Sequence, residues 1–434
     1  MDTARDNSTH TLMLCDFDGT VSVKDTVNNL VRSHVSSPEW RYHVKRYLRG
    51  EIGSYGVYQA VAPLMRMTRA DLAAFVKEHA ELDPAFPKFL QWAESRGIHV
   101  KIVSDGFDAT IETLFREHGI TGLEIFANHL EMDERGGVTI TSPHTAPQCG
   151  KCGTCKLEIL RGFRSAYDRI ILVGDGTSDR HAATEADLVL ALKHLFVYCA
   201  QENLPAVRVQ GFHEIPWLME REIKAIAFDM DGTLIESLDT ITDSFNHMFR
   251  TLGYPTMTRE EVIRKTSISL LDFVRSYLEP HHHDEGVRVF REYYDTIYKT
   301  RTTVIPNALE TLQALDGTVA QGVVTNKRGQ YARLIAEHFG FADRMARIIG
   351  AEDGFKAKPS GEMFHEFMRH VGSAQETTIY VGDSPLDVDA ARNAGIDSFA
   401  VAGPMYTAEE LALQGPRRVL HDIGDLPAAL RRLL

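Results

Sequence analysis

The sequence predicts an α/β protein made of two consecutive parallel-sheet cores, each with a mainly helical cap inserted after its first strand. Three observations predict it. Short β-branched and aliphatic runs alternate with longer amphipathic stretches along all 434 residues, the pattern of βαβ units. Polar, glycine-bearing turns follow nearly all of those runs. The turns also recur in matching order: DFDGT at Asp16 returns as DMDGT at Asp229, and GDGTSD at Gly174 returns as GDSPLD at Gly382. Both pairs are displaced by about 210 residues, which marks a duplicated domain and not a short repeat.

Taken in chain order, the first half offers candidate strands at Leu12–Cys15, His99–Val103, Ile170–Val173 and Leu188–Leu190. The second half offers Ala225–Phe228, Gly322–Val324, Thr378–Val381 and Phe399–Val401. The boundary falls in GFHEIPWLMEREIK, Gly211 to Lys224, giving domains over residues 1–216 and 217–434. Helical inserts are expected from Thr26 to Leu82 and from Thr240 to Thr303. In EGVRVFREYYDTIYK, Val287, Val289, Phe290 and Tyr294 recur at helical spacing. Such inserts would lie over the strand ends as lids that exclude water and select substrate.

Composition narrows the class. Apolar residues make up 44% and charged residues 25%, as in globular proteins. The net charge of −13, with no Lys/Arg-rich run, argues against nucleic acid as a partner. No run of about 18 apolar residues is present to span a membrane. The opening MDTARDNSTH lacks the apolar core of a secretory signal, and five cysteines do not make a disulfide scaffold. A soluble cytoplasmic protein is the expectation, with a homodimer left open.

The acidic turns carry the chemistry. Asp16 and Asp18 lie two residues apart at a strand end, where both side chains can point to one side. Two carboxylates that close repel unless a cation lies between them. Mg²⁺ suits the place, since it prefers oxygen ligands and is held by carboxylates plus substrate phosphate. Asp175 and Asp179 add acids at the end of another strand. Gly19 and Thr20 supply a tight turn with exposed N–H groups and a hydroxyl for phosphate oxygens. Ser104, just before Gly106, adds a hydroxyl donor, and Lys156 an ammonium. This inventory suits phosphoryl transfer through an aspartyl-phosphate. The second half repeats it with Asp229, Asp231, Thr325, Lys358, Asp383 and Asp387.

Four motifs in order in each half make the chain resemble the haloacid dehalogenase-like (HAD) phosphatases over nearly its whole length. The resemblance implies Rossmann-like cores and Mg²⁺, with Asp16 and Asp229 attacking phosphate. Asp18 and Asp231 would protonate the leaving group, then activate water, and bind the metal through a backbone carbonyl. The metal set it implies is Asp16, Asp18, Asp175 and Asp179, then Asp229, Asp231, Asp383 and Asp387. The catalytic set adds Ser104, Lys156, Thr325 and Lys358. Substrate would meet Thr20, Asp25, Ser104 and Gly106 in the first half, and Thr233, Thr325 and Asn326 in the second.

The halves resemble different branches. CDFDGT, CGTCK, GDGTSD and YCAQENLPAVRVQGFHEI are similar to the phosphoserine-phosphatase-like group, and most to the hydroxy-keto-methylthiopentenyl phosphate phosphatases of methionine salvage. Asp25 stands where phosphoserine phosphatases carry a glutamate, which argues against phosphoserine itself. FDMDGTLIES, VVTNKRGQYARLIAEHFG, KAKPSGEMF and YVGDSPLDVDAARNAG resemble phosphoglycolate phosphatases. TSISLLD from Thr266 lacks the arginine of the related mutases. The expectation is a tandem, bifunctional phosphatase acting on small phosphorylated metabolites. The rivals are one silent binding or dimerisation half, or a phosphotransferase.

Other features have plainer readings. Asp179 and Asp387 serve equally as residues that orient the metal site. The thiols of Cys149, Cys152 and Cys155 lack a fourth ligand beyond His144, so a structural or incidental role is expected over zinc. Cys15 and Cys199 read as core thiols, and His281–Asp284 as a solvated loop. Arg32, Arg41 and Arg46 read as readily as solvated helix faces as partners of a substrate carboxylate.

Overall fold

The computed structural model describes residues 10–35, 37–263 and 269–431. The opening residues 1–9 and the stretch Thr266–Ile268, both used in the sequence reading, lie outside the described residues. The chain forms two compact units, divided between Met219 and Glu220.

The first unit is built on β1 (Thr11–Cys15), β2 (His99–Phe107), β3 (Glu124–Met132), β4 (Val138–Thr141), β5 (Arg169–Gly174), β6 (Leu188–Ala191) and β7 (Ala206–Arg208). They form one sheet in the order β4-β3-β2-β1-β5-β6-β7. All pairs are parallel except β3–β4. Every residue of β1 is buried, so both faces of the sheet are covered there. Phe86, Phe89, Phe115 and Phe212 pack ring to ring in this core.

The second unit contains β8 (Ala225–Phe228), β9 (Ile235–Glu236), β10 (Thr303–Val304), β11 (Ala320–Arg328), β12 (Met345–Ala351), β13 (Thr378–Gly382), β14 (Asp397–Val401) and β15 (Arg418–Leu420). Six of them form a sheet in the order β12-β11-β8-β13-β14-β15, parallel throughout. Its core buries Tyr380, Phe364 and Phe367 against Ala225, Ala227 and Val324. In each unit the first strand lies mid-sheet between the second expected strand and the third. The reversal of strand order at that point opens a crevice beyond the carboxyl ends.

Both inserts are helical. The first holds helices Thr26–His34, Trp40–Leu48, Ser54–Val61 and Arg69–His79. The second holds Leu238–Thr251, Arg259–Ile263, Leu270–Tyr277 and His283–Arg301. The chain enters and leaves each insert through neighbouring antiparallel segments. In the first unit Ser22 bridges Leu82, and in the second β9 pairs with β10. A paired exit and entry joins each cap to its core through two adjacent segments.

Two expectations need correction. His281–Asp284 is not a solvated loop, because His282 Nδ1 lies 2.9 Å from the Tyr254 hydroxyl and His283 starts a helix, its Nε2 3.1 Å from Leu278 O. Aromatic and backbone partners in the cap fasten this turn. Val287 is only half-buried, and the buried stripe of its helix is Gly286, Val289, Phe290, Tyr294 and Tyr298.

Candidate active sites

The strand ends converge as a parallel sheet dictates. In the first unit the Asp16 amide donates to Val173 O at 2.8 Å, tying the end of β1 to β5. The Lys156 ammonium stands 2.6 Å from Asp16 Oδ1 and 2.6 Å from Asp179 Oδ1. It also donates to Ser178 Oγ at 3.0 Å. Asp179 Oδ2 accepts from the amides of Asp175 and Gly176 at 3.2 and 3.1 Å. All three of Asp16, Lys156 and Asp179 are buried.

The second unit repeats this constellation. Lys358 Nζ lies 2.8 Å from Asp229 Oδ1 and 2.7 Å from Asp387 Oδ1, with Tyr380 OH at 2.9 Å. Asp387 Oδ2 accepts from the amides of Asp383 and Ser384 at 3.1 and 3.0 Å. Thr233 Oγ1 donates to Asp383 Oδ1 at 3.2 Å. A cavity of about 330 Å³ opens here, lined by Asp229, Lys358 and Thr325 from the core and by Phe245, Phe290 and Tyr294 from the cap.

Burial dominates the electrostatics. It drives the Asp16 carboxyl well above the ordinary range, helped by Asp179 and opposed by Lys156. Burial raises Asp229 to about 6, with Lys358 opposing. Asp383 is pushed well up by burial and then by Asp387. Burial alone would raise Asp387 too, but Lys358 and the Ser384 hydrogen bonds outweigh it and hold Asp387 low. Burial works against the Lys156 and Lys358 ammonium groups, yet their paired carboxylates keep both above the ordinary lysine value. Crowded buried carboxylates of this kind favour a cation among them.

The carboxylate oxygens of Asp16, Asp175 and Asp179 lie within 4.8 Å of one another, as do those of Asp229, Asp383 and Asp387. Three carboxylates in each cluster outnumber the lysines beside them, Lys156 and Lys193 in the first unit and Lys358 in the second, and fit a small divalent cation. Asp18 and Asp231, expected to reach the metal through their backbone carbonyls, keep their carboxylates outside these clusters. Asp18 Oδ1 instead accepts from Thr26 N at 2.5 Å and Thr26 Oγ1 at 2.7 Å. Asp231 pairs with Lys327 Nζ at 2.7 Å and accepts from Ser237 Oγ. The reason is local, since β1 ends at Cys15 and β8 at Phe228. Each pair of acids thus lies in a turn, where strand alternation no longer governs direction.

The remaining expected residues sort by what they touch. Ser104 Oγ accepts from the Gly106 amide at 2.9 Å, and Thr325 Oγ1 from the Lys327 amide at 3.2 Å. Gly106 is required by contact: a Cβ there would meet Asp18 Oδ2 at 2.7 Å. Thr20 Oγ1 is buried with no protein partner, a donor left for a ligand oxygen. Asp25 is exposed and caps the helix Thr26–His34 by accepting from Asn28 N at 2.9 Å. Asn326 braces Lys358, accepting from its amide at 2.7 Å and donating to its carbonyl at 3.2 Å.

Sequence reasoning assigned no role to Lys327, Ser237, Thr26 or Lys193. Lys327 could have been found, because it stands two residues beyond Thr325 at the same strand end. Lys193 gave no signal. Its Nζ donates to Gly19 O at 2.8 Å and sits 2.9 Å from Asp175 Oδ2.

The geometry has counterparts among known proteins. The family description "haloacid dehalogenase-like hydrolase" matches residues 13–184 and again residues 226–401. The chain belongs to the haloacid dehalogenase-like hydrolases and carries two of their domains in tandem. It is 30% identical over 208 residues to a 2-hydroxy-3-keto-5-methylthiopentenyl-1-phosphate phosphatase of Bacillus velezensis, covering 47% of this chain and 87% of that protein. It is 26% identical over 212 residues to a phosphoglycolate phosphatase of Photorhabdus laumondii, covering 47% of this chain and 91% of that one. A pyrophosphatase of Oceanobacillus iheyensis is 27% identical over 205 residues, covering 47% of this chain and 95% of the relative. By these relationships the chain is a phosphatase, a phosphoric monoester hydrolase.

Proposed function

We propose that the protein is a bifunctional, Mg²⁺-dependent phosphatase whose two units each hydrolyse a small phosphomonoester through their own aspartyl-phosphate. One observation carries the reading: a buried lysine bridges two buried carboxylates at the strand ends in both units. A relic would have no reason to retain so costly a buried charge cluster.

In each unit the first aspartate, Asp16 or Asp229, attacks phosphorus, and the leaving oxygen departs on the opposite side. Lys156 or Lys358 offsets the charge of the attacking carboxylate and the phosphoryl oxygens. Asp18, raised to about 6 by burial, gives its proton to the leaving oxygen and later takes one from water. Asp231 holds the corresponding place in the second unit, oriented by Lys327 and Ser237. Ser104 and Thr325, with Thr20, Gly106 and Thr233, face the phosphate. Mg²⁺ held by Asp16, Asp175 and Asp179, or by Asp229, Asp383 and Asp387, would screen the repulsion between phosphate and nucleophile. The differing substrates in the relatives' names favour different esters for the two sites. Work on small phosphorylated metabolites fits a cytoplasmic protein.

The test is Mg²⁺-dependent phosphate release across a panel of small phosphomonoesters, comparing wild type with Asp16→Asn and Asp229→Asn. Each substitution is expected to remove a different subset of substrates. If one removes everything and the other nothing, the untouched half is a silent partner and the bifunctional reading fails. Transfer to an added alcohol in place of free phosphate would identify a phosphotransferase.

A further inference from the structure

The turn that delivers Lys156 carries chemistry that phosphoryl transfer does not use. Cys149, Cys152 and Cys155 precede Lys156 directly, and all are free thiols. Cys149 Sγ and Cys152 Sγ lie 3.4 Å apart, and both residues are partly exposed. A disulfide needs the sulfurs at about 2.0 Å, so closing the pair draws the two residues together. Cys155, by contrast, is buried and sits at the N-cap of the helix Lys156–Phe163.

We propose that Cys149 and Cys152 form a dithiol site that small disulfides oxidise, and that closing it switches off the first unit by displacing Lys156. Cys149 is the attacking thiol. Burial works against its ionisation, but the amides of Cys152 and Lys151 and the thiols of Cys152 and Cys155 donate to its sulfur and lower its pKa. Cys152 resolves, since burial and its neighbours push its thiol up to about 12 and leave it protonated until a leaving group departs.

The exchange balances. The Cys149 thiolate attacks one sulfur of the incoming disulfide, and its S–S bond breaks to release one thiolate, which takes up a proton. The Cys152 thiol then loses its proton and attacks the Cys149 sulfur of the mixed disulfide. A second thiol leaves, the two cysteines are oxidised by two electrons, and the incoming disulfide is reduced to two thiols.

The turn is wedged where such a change propagates. On one side it meets the cap: Tyr55 N donates to Lys151 O at 3.1 Å, and Gly153 N to Ser54 Oγ at 2.9 Å. A Cβ on Gly53 would sit 1.9 Å from Lys151 O, so no slack exists there. On the other side Thr154 N donates to Asp105 Oδ1 at 2.9 Å, beside Ser104. A Cβ on Gly153 would lie 2.4 Å from Asn128 Oδ1. Pulling residues 149–152 together must therefore move either the cap contact or the segment leading to Lys156. The second unit reaches Lys358 through GFKAKP, which holds no cysteine, and serves as an internal control.

The inference about activity rests on the proposed phosphatase function, but its chemical part does not. The experiment treats the full chain with oxidised glutathione and follows it by intact mass, peptide mapping, hydrogen exchange and phosphate release. The expected result is a loss of two hydrogens, a Cys149–Cys152 link, and faster exchange at the Tyr55 and Gly153 amides. Phosphate release by the first unit, measured with the second silenced by Asp229→Asn, should fall about 10- to 100-fold, the scale on which displacing a catalytic group acts. Dithiothreitol should restore it, and phosphate release by the second unit should be the same before and after oxidation. Cys152→Ser should stop at a glutathione adduct, and Cys149→Ala should not react. The proposal is overturned if no internal disulfide forms, if Cys155 is the partner, or if the link forms with exchange and phosphate release unchanged. A protein that releases no phosphate under any condition defeats the phosphatase reading, while the mass and exchange results still decide the dithiol.

Discussion

Lys358 shows how much one side chain can hold in this protein. It is buried among Asp229, Asp387 and Tyr380, and all three of its hydrogen bonds go to buried groups. Removing one partner of a buried ion pair strands the other charge, at a cost of about 3–5 kcal/mol. We expect Lys358→Ala to abolish phosphate release by the second unit and to lower its stability by that amount, measured by urea unfolding. Retained stability would show that the carboxylates simply protonate. This triad was half-legible in the sequence. The residue types and their positions at strand ends could be read, because turns after parallel strands collect ligand groups. The direction of Asp18 and Asp231 could not, because a turn follows no period-two rule and their partners Thr26 and Lys327 come from other segments.

Among the elements, the first cap offers a clean handle. Its helix Arg69–His79 starts with a capping box, in which Thr68 Oγ1 accepts from Asp71 N at 3.2 Å and Asp71 Oδ2 accepts from Thr68 N at 2.8 Å. We expect Thr68→Ala to cost about 1 kcal/mol by chemical denaturation. β3 carries a pH-dependent tie as well. His129 Nδ1 lies 2.6 Å from Asp108 Oδ2, and Nε2 lies 3.0 Å from Glu131 Oε1. The hydrogen bond to Asp108, then that to Glu131, raises the His129 pKa above 6.5. A raised folded-state value means the tie is complete below pH 6.5 and is lost as pH rises through the raised value. His129→Gln should therefore destabilise the protein more at pH 5.5 than at pH 9, by under about 1 kcal/mol for a solvent-screened pair, read by urea unfolding at each pH. An equal loss at both would remove the charge from the account.

The same elements show why some strands were read and others missed. All eight expected strands exist, Ala225–Phe228 with the expected bounds and the other seven longer by one to six residues, because central parallel strands are apolar on both faces. β3, β4, β7, β9, β10, β12 and β15 escaped notice. β4 alternates buried and exposed residues, and β3 and β12 are only partly buried. Such strands near a sheet edge resemble the amphipathic stretches around them.

For the whole molecule, two acidic clusters of matching geometry could each hold a cation. Chelation with EDTA should abolish every phosphatase activity of the chain, and Mg²⁺ should restore all of them. A residual activity that survives chelation would show that one unit works without a cation.

The sequence by itself determined the duplicated α/β architecture, the helical caps, and the residue types gathered at each strand end. These follow from local information, since apolar periodicity and turn chemistry act over a few residues. Only the tertiary structure decided which carboxylates share a cluster, which one each lysine neutralises, and which cap side chains face the second unit's cavity. It also brought the Cys149 and Cys152 sulfurs within 3.4 Å. Those relations depend on side-chain directions and on partners distant in sequence, and such directions are fixed only when the segments pack.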